Sequence, residues 1–306
     1  MRNRAPGTGH RAPGREPDPG PRTPDPGAGA GRLFVVATPI GNLADLSPRA
    51  QETLGAVALV LAEDTRRVRQ LLTHFGLRTA TRSLHEHNEA RELPGLLARL
   101  AAGQSLALVS DAGTPVIADP GFRLVRACRE RGVPVLAVPG PSAVTAAIAV
   151  AGLPPQPFTF AGFLPARAGP RATLLGELAT VGHTVVLFLA PHRLAVELAA
   201  CRDVLGSERD AVLLAELSKL HERCERGTLG ELAAWAHDAT ARGEYTLVVG
   251  PPPAAPLPAA DAHAARAALD TELARGQPLP EARRAAARRL GLSRRQFYEL
   301  LARRRR

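Results

Sequence analysis

The chain has 306 residues, 45% of them hydrophobic, three cysteines and a formal net charge of +10. That length suits two domains with cores of ordinary size. Cys128, Cys201 and Cys224 stand far apart with no Cys-x-x-Cys pair, which argues against a zinc site or disulfide framework and for a reduced, cytoplasmic protein. No stretch is long and apolar enough to span a bilayer. Met1-Arg2-Asn3-Arg4 leads into proline and glycine rather than an apolar core, so no secretory signal is expected.

The charge is unevenly placed. Residues 1–32 carry six Arg against three acids, and residues 259–306 carry twelve Arg against five. Residues 33–258 hold 21 basic and 21 acidic side chains. A neutral body with basic ends is the layout of a globular enzyme with polyanion-seeking arms.

In chain order, residues 1–31 are rich in Gly, Pro, Arg and Ala without apolar periodicity, and are expected to be a disordered basic tail. Its Gly27-Ala28-Gly29-Ala30-Gly31 run precedes a strand, whereas a phosphate-binding glycine loop follows one. From Leu33 the pattern alternates. Leu33-Phe34-Val35-Val36 stops in Ala37-Thr38-Pro39-Ile40-Gly41-Asn42. A helix is expected over 48–56, a buried strand over 57–62 ending in Glu63-Asp64, and helices over 65–75 and 89–102. Leu106-Ala107-Leu108-Val109 stops in Ser110-Asp111-Ala112-Gly113-Thr114-Pro115. A helix over 122–131 follows. The strand over 133–138 stops in Pro139-Gly140-Pro141-Ser142-Ala143, and a helix follows over 142–151. Such alternation implies a mainly parallel sheet in three layers. Ligands bind such sheets outside the carboxyl ends of the strands, so three glycine/proline loops side by side would make a pocket lined by backbone.

Pro154-Pro155-Gln156-Pro157 marks a break between α/β domains over 32–153 and 158–250. The second opens with Phe158-Thr159-Phe160 and is then read as strands over 184–189, 211–217 and 245–249 with helices over 194–205 and 229–242. A basic helical module is expected over 259–306. Its segment 279–300 reads as two short helices, stopped by Gly291 and capped again by Ser293. Arg294 and Arg295 are candidate phosphate contacts, and Phe297 and Tyr298 either stack on RNA or pack internally.

Seven segments carry a family resemblance by occurring in order: Ala37–Leu43 (ATPIGNL), Ala62-Glu63-Asp64-Thr65-Arg66, Leu84-His85-Glu86-His87-Asn88-Glu89, Ser110 through Pro115, Pro139 through Ala143, Gly162-Phe163-Leu164-Pro165, and Glu216-Leu217-Ser218-Lys219. The chain resembles the bacterial small-subunit ribosomal RNA methyltransferase I family, within the tetrapyrrole methylases or class III methyltransferases. The resemblance implies two α/β domains with S-adenosyl-L-methionine in the cleft between them, and 2'-O-methylation of a cytidine ribose in the decoding centre of 16S ribosomal RNA. It also implies a homodimer whose partner is the small ribosomal subunit. Implied cofactor contacts are Pro39, Ile40, Gly41, Asn42, Asp111, Ala112, Gly113, Thr114, Pro139, Ser142, Phe188 and Ala190. The first loop lacks the usual Rossmann glycine fingerprint, in keeping with a different grip on a cofactor that has no phosphate.

A ribose hydroxyl is a weak acid, so methyl transfer to it needs alignment or a base. Candidate catalytic residues are Glu63, Asp64, His85, Glu86 and Lys219, the only lysine in the chain. Consecutive side chains on an extended strand point opposite ways, so at most one of Glu63 and Asp64 faces a cleft. The same divergence makes His85-Glu86-His87 a poor metal cluster, and no metal is expected. One departure from the family pattern is Phe188-Leu189-Ala190 before Pro191-His192-Arg193, where an acid is common. Two rival readings are a tetrapyrrole C-methyltransferase and an inactive RNA-binding protein.

Overall fold

The computed structural model describes residues 31–238, 241–253 and 262–302. The expected basic tail (Gly31 apart) and Arg303 to Arg306 lie outside them. The chain divides between Ser142 and Ala143 into two compact units.

The first unit is built on a parallel sheet of five described strands. They are β1 (Leu33–Val36), β2 (Leu59–Ala62), β3 (Thr81–Ser83), β4 (Leu106–Val109) and β5 (Val135–Val138). Their order is β3-β2-β4-β1-β5. The central strands are short, continuous apolar runs because helices cover both faces. Leu106 and Leu108 of β4 face one helix layer, α3 (Glu89–Ala101) and α4 (Phe122–Glu130), where Leu96, Leu100 and Leu124 pack. Ala107 and Val109 face the other layer, α1 (Pro48–Ala56) and α2 (Thr65–His74), where Leu54, Val68 and Leu72 pack. The period of two along the strand thus sorts one apolar segment into two cores.

Helix starts follow local chemistry. The Ser47 hydroxyl accepts from the Ala50 amide at 3.1 Å with Pro48 as the first helical residue. Helix α4 has no such cap of its own. Its N-cap is Gly121, at φ +119°, where a Cβ would collide with the Leu108 side chain. The missing acceptor comes from another element: Glu89, buried at the start of α3, accepts from the Leu124 amide at 2.9 Å.

The second unit also has five described strands, in the order β6-β7-β10-β8-β9. These are β6 (Phe158–Phe163), β7 (Thr184–Leu189), β8 (Asp210–Ala215), β9 (Arg223–Thr228) and β10 (Tyr245–Val249). Only β6 and β7 pair in parallel; β10 runs antiparallel to β7 and β8, and β9 antiparallel to β8. Helices α5 (Ala143–Ala151), α6 (Ala168–Ala179), α7 (Leu194–Leu205) and α8 (Leu229–Asp238) belong to this unit. Val144, Ala147 and Ala151 of α5 pack on Val186, Val212, Leu214 and Val248 of the second sheet. The proline break therefore lies inside the second unit, between α5 and β6.

Strand β9 and helix α6 are absent from the sequence reading, for identifiable reasons. Arg-Cys-Glu-Arg-Gly-Thr has almost no apolar side chain, as suits an edge strand that discourages further pairing. Helix α6 contains Gly169, Pro170 and Gly176, which read as loop signals; Pro170 sits in the first turn, where no amide is needed. The strand expected over 211–217 ends at Ala215, because Glu216 and Ser218 turn to φ +57° and +67°.

Three described helices form the C-terminal part: α9 (Ala262–Ala274), α10 (Leu279–Arg289) and α11 (Arg294–Ala302). Ala265, Ala268, Ala286, Ala287 and Phe297 make their core. Ser293 and Gln296 exchange side-chain and backbone hydrogen bonds at 3.3 and 2.9 Å, a capping box that starts α11. Buried Glu272 ties α9 to α10 through Arg289 and also pairs with Arg275, just past the end of α9. No helix among the described residues is long and apolar enough to cross a membrane.

Replacing Glu89 by Ala leaves the Leu124 amide buried without its acceptor. The expected loss is about 1–2 kcal/mol of unfolding free energy, with a smaller loss for Glu89→Gln, measured by urea denaturation.

Candidate active site

The tips of β4, β1 and β5 are neighbours in the sheet, and their loops are bonded to one another. Thr38 and Gly113 exchange backbone hydrogen bonds of 2.9 and 3.0 Å, an isolated antiparallel bridge. The Thr38 hydroxyl donates to the Ser110 carbonyl at 3.1 Å, and the Ser110 hydroxyl donates to the Gly113 carbonyl at 2.9 Å. Thr114 Oγ1 donates to the Pro141 carbonyl at 3.2 Å, which adds the β5 loop. Close packing continues the seam. A Cβ on Gly113 (φ +83°) would stand 3.2 Å from Ile40 Cγ2, and one on Gly140 would stand 3.1 Å from Ala37 Cβ. The β2 tip joins through Asp111, whose Oδ1 accepts from the Asp64 amide at 3.0 Å.

This rim brings together most of the implied cofactor contacts in the first unit. Pro39 and Ile40 are buried, Gly41 and Pro139 exposed, and Ala112, Thr114 and Ser142 half-buried. The Asn42 side chain is turned inward on its own loop, accepting from the Ala44 amide at 3.0 Å. A cavity of about 300 Å³ flanks the rim, with Thr38, Pro39, Ser110 and Asp111 on one side and residues of α2 on the other. That is the lower end of small-molecule pockets.

The second unit carries Phe188 and Ala190. Phe188 packs against Phe160 and Phe163, at 4.9 and 5.3 Å between ring centroids. The Ala190 amide donates to Glu197 Oε2 at 3.0 Å, and Glu197 Oε1 accepts from Arg193 Nε at 2.7 Å. An acid therefore does serve the turn where the sequence lacks one beside Leu189. It arrives eight residues later in the chain, fully buried in the first turn of α7.

The candidate catalytic side chains separate into engaged and available groups. Asp64 is the N-cap of α2: it accepts from the Arg66 amide at 2.8 Å and from the Arg66 guanidinium at 2.9 and 3.1 Å. Those hydrogen bonds hold its carboxyl down at about 2, so it is a poor base. Lys219 Nζ lies 2.8 Å from Glu216 and 3.2 Å from Glu244. Burial alone would lower the ammonium pKa, but the hydrogen bonds and charges of the two carboxylates outweigh it and raise it. Lys219 is thus a fixed cation in a structural ion cluster at the end of β8. His85 Nδ1 is buried with no hydrogen-bond partner among the described residues. Glu63 and Glu86 are exposed.

Asp119 is the group that motif reading missed. It is half-buried at the end of the β4 loop, where Val116 and Ala118 both adopt left-handed φ (+75° and +63°). Desolvation, then the charges of Glu63 and Asp111, push its carboxyl up to about 7. The sequence signal was Asp119-Pro120-Gly121, which reads only as a turn. In the C-terminal part, Arg294 and Tyr298 are exposed and Arg295 pairs with Glu299 at 2.9 Å. Phe297 corrects the stacking alternative: it is 1% exposed in the core of the three helices, so it packs.

Residues 32–233 match the family described as Tetrapyrrole (Corrin/Porphyrin) Methylases. The chain belongs to that family. A Synechocystis protein named Ribosomal RNA small subunit methyltransferase I is 44% identical over 270 residues, covering 88% of this chain and 97% of the relative. A Pseudomonas aeruginosa protein of the same name is 50% identical over 222 residues, covering 72% and 79%. Among solved structures, diphthine synthase aligns with TM-score 0.59 at 18% identity, covering 72% of this chain and 89% of that one. Uroporphyrin-III C-methyl transferase from Thermus thermophilus, complexed with S-adenyl homocysteine, aligns with TM-score 0.52 at 20% identity, covering 72% and 97%. At that identity the likeness shows the tetrapyrrole methylase fold alone.

In this family member the raised Asp119 pKa has a signed consequence. Between its ordinary 3.8 and about 7, the folded chain keeps a proton that the unfolded chain has released. Stability therefore falls as pH climbs through that window. Asp119→Asn removes the effect, so its Tm should exceed the parent's at pH 8, by less at pH 5, and converge on it only as pH falls to 3.8, as read by thermal melts.

Proposed function

We propose that this chain is an S-adenosylmethionine-dependent methyltransferase acting on 16S ribosomal RNA of the small subunit, at the 2'-hydroxyl of a cytidine ribose. The reading is supported by the family, by the activity named for relatives at 44–50% identity, and above all by the bonded rim at the tips of β4, β1 and β5. The donor carries a sulfonium and no phosphate. Backbone amides and carbonyls of Thr38 to Asn42, Ser110 to Thr114 and Pro139 to Ser142 can meet its adenine, ribose and carboxylate without a dedicated charge cluster. Phe188 and Ala190 are the contacts proposed from the second unit.

In the reaction the ribose oxygen attacks the donor methyl carbon in line, the carbon–sulfur bond breaks, and S-adenosylhomocysteine leaves. The hydroxyl proton passes to a base or to water. Asp64 and Lys219 are committed to Arg66 and to Glu216 and Glu244. Glu63, His85, Glu86 and Asp119 remain as acceptors, and Asp119 has the affinity for a proton near neutral pH that such a step requires. The basic C-terminal helices supply RNA phosphate contacts. We further propose a cytoplasmic homodimer, read out by light scattering.

Incubation of the chain with tritiated S-adenosylmethionine and unmethylated small subunits should place label in 16S RNA at a ribose oxygen. Label in a uroporphyrinogen or precorrin instead would move the chain to the tetrapyrrole reading, and no transfer to any acceptor would leave the inactive RNA-binding one. Gly113→Ala introduces a Cβ at φ +83° against Ile40. It should weaken donor uptake in calorimetry about tenfold, a loss of about 1.4 kcal/mol, while the far-ultraviolet spectrum stays that of the parent.

A further inference from the structure

Helices α10 and α11 enclose a small pocket whose walls include Arg283, Arg284 and Arg294, with Ala287 and Tyr298 beside them. Among the described residues no acidic side chain lines it. Three other arginines of this part differ: Arg275 and Arg289 are held by Glu272, and Arg295 by Glu299. Arg283, Arg284 and Arg294 have no carboxylate partner among the described residues. Three arginines thus line one pocket with no carboxylate among the described residues beside them, a setting that favours an anion.

The pocket is also organised. The Arg283 guanidinium carbon lies 5.3 Å from the centroid of the Tyr298 ring, which holds the planar group in one orientation. Arg283 Nε is buried with no hydrogen-bond partner among the described residues. The volume, about 50 Å³, exceeds the roughly 10–15 Å³ that one water needs and is too small for a base. A compact tetrahedral anion suits both the size and the donors, since the guanidinium fork matches phosphate oxygens.

We propose that this pocket seats one phosphodiester group of the RNA substrate, with Arg283, Arg284 and Arg294 as its donors. The proposal rests on the reading of the chain as an RNA methyltransferase and names the place where the basic module grips the backbone. The contact carries no sequence information; it fixes register, and base choice lies elsewhere. Tyr298 acts by orienting Arg283.

The test measures binding of the full chain to a naked 16S RNA fragment and to intact small subunits, by filter retention between 50 and 200 mM KCl (conditions chosen for the ~1 slope unit expected per phosphate contact). Arg284 and Arg294 are exposed, so Arg284→Gln/Arg294→Gln should fold as the parent does. That variant should bind naked RNA about tenfold more weakly or worse, with the slope of log Kd against log salt reduced by about 1. Arg288→Gln, on α10 but outside the pocket, should change Kd less than about threefold. Equal losses in the two variants would overturn the pocket in favour of diffuse charge. So would parental affinity in the double variant, or a loss confined to intact subunits, which would mean an acidic protein surface as the occupant. A parent chain that methylates RNA while the double variant binds as well as it does defeats the pocket alone. A parent chain that labels no RNA defeats the wider reading instead.

Discussion

Two backbone hydrogen bonds between Thr38 and Gly113, one in each direction, hold the tips of β1 and β4 together. The rest of the rim is arranged around that bridge. It demands a left-handed residue at 113, which glycine supplies. It sets the Ser110 and Thr38 hydroxyls on the Gly113 carbonyl, at 2.9 and 3.5 Å, and it brings Ile40 against Gly113. Thr114 then carries the linkage to the β5 loop. A binding surface made this way is fixed before any ligand arrives, so little ordering cost falls on the binding step. It also explains why the motif-bearing loops are rich in glycine, proline and hydroxyls rather than charge.

Buried carboxylates do structural work in all three parts of the chain. Glu89 caps a helix that has no capping side chain of its own, Glu197 satisfies the turn after β7, and Glu272 joins two helices. Each is paired with donors, as burial of a charge requires. Asp119 differs from them: it is half-buried, sits on a loop with two strained residues, and is pressed by two other carboxylates. Strain and an uncomfortable charge in one loop are the kind of local cost that functional sites retain.

The net charge is concentrated at the two ends of the sequence. The rim loops belong to residues 33–258, whose basic and acidic side chains balance, whereas residues 259–306 carry twelve Arg against five acids.

The sequence by itself determined the strand tips, the alternation of strands and helices that makes a layered first unit, the capping of α11, and the basic C-terminal helices. These follow from neighbours in the chain: periodicity, turn residues and caps act over a few positions. It did not reveal edge strand β9, whose side chains are polar, or α6, whose glycines and proline imitate a loop. It also left open whether Phe297 stacks or packs. The antiparallel course of β10, the adjacency of β4, β1 and β5, the Glu197 that serves Ala190, the charge pressure on Asp119 and the convergence of Arg283, Arg284 and Arg294 were decided by tertiary structure alone. Each depends on the distance between groups far apart in the chain or on different elements, and pattern along one strand or helix carries no record of that distance.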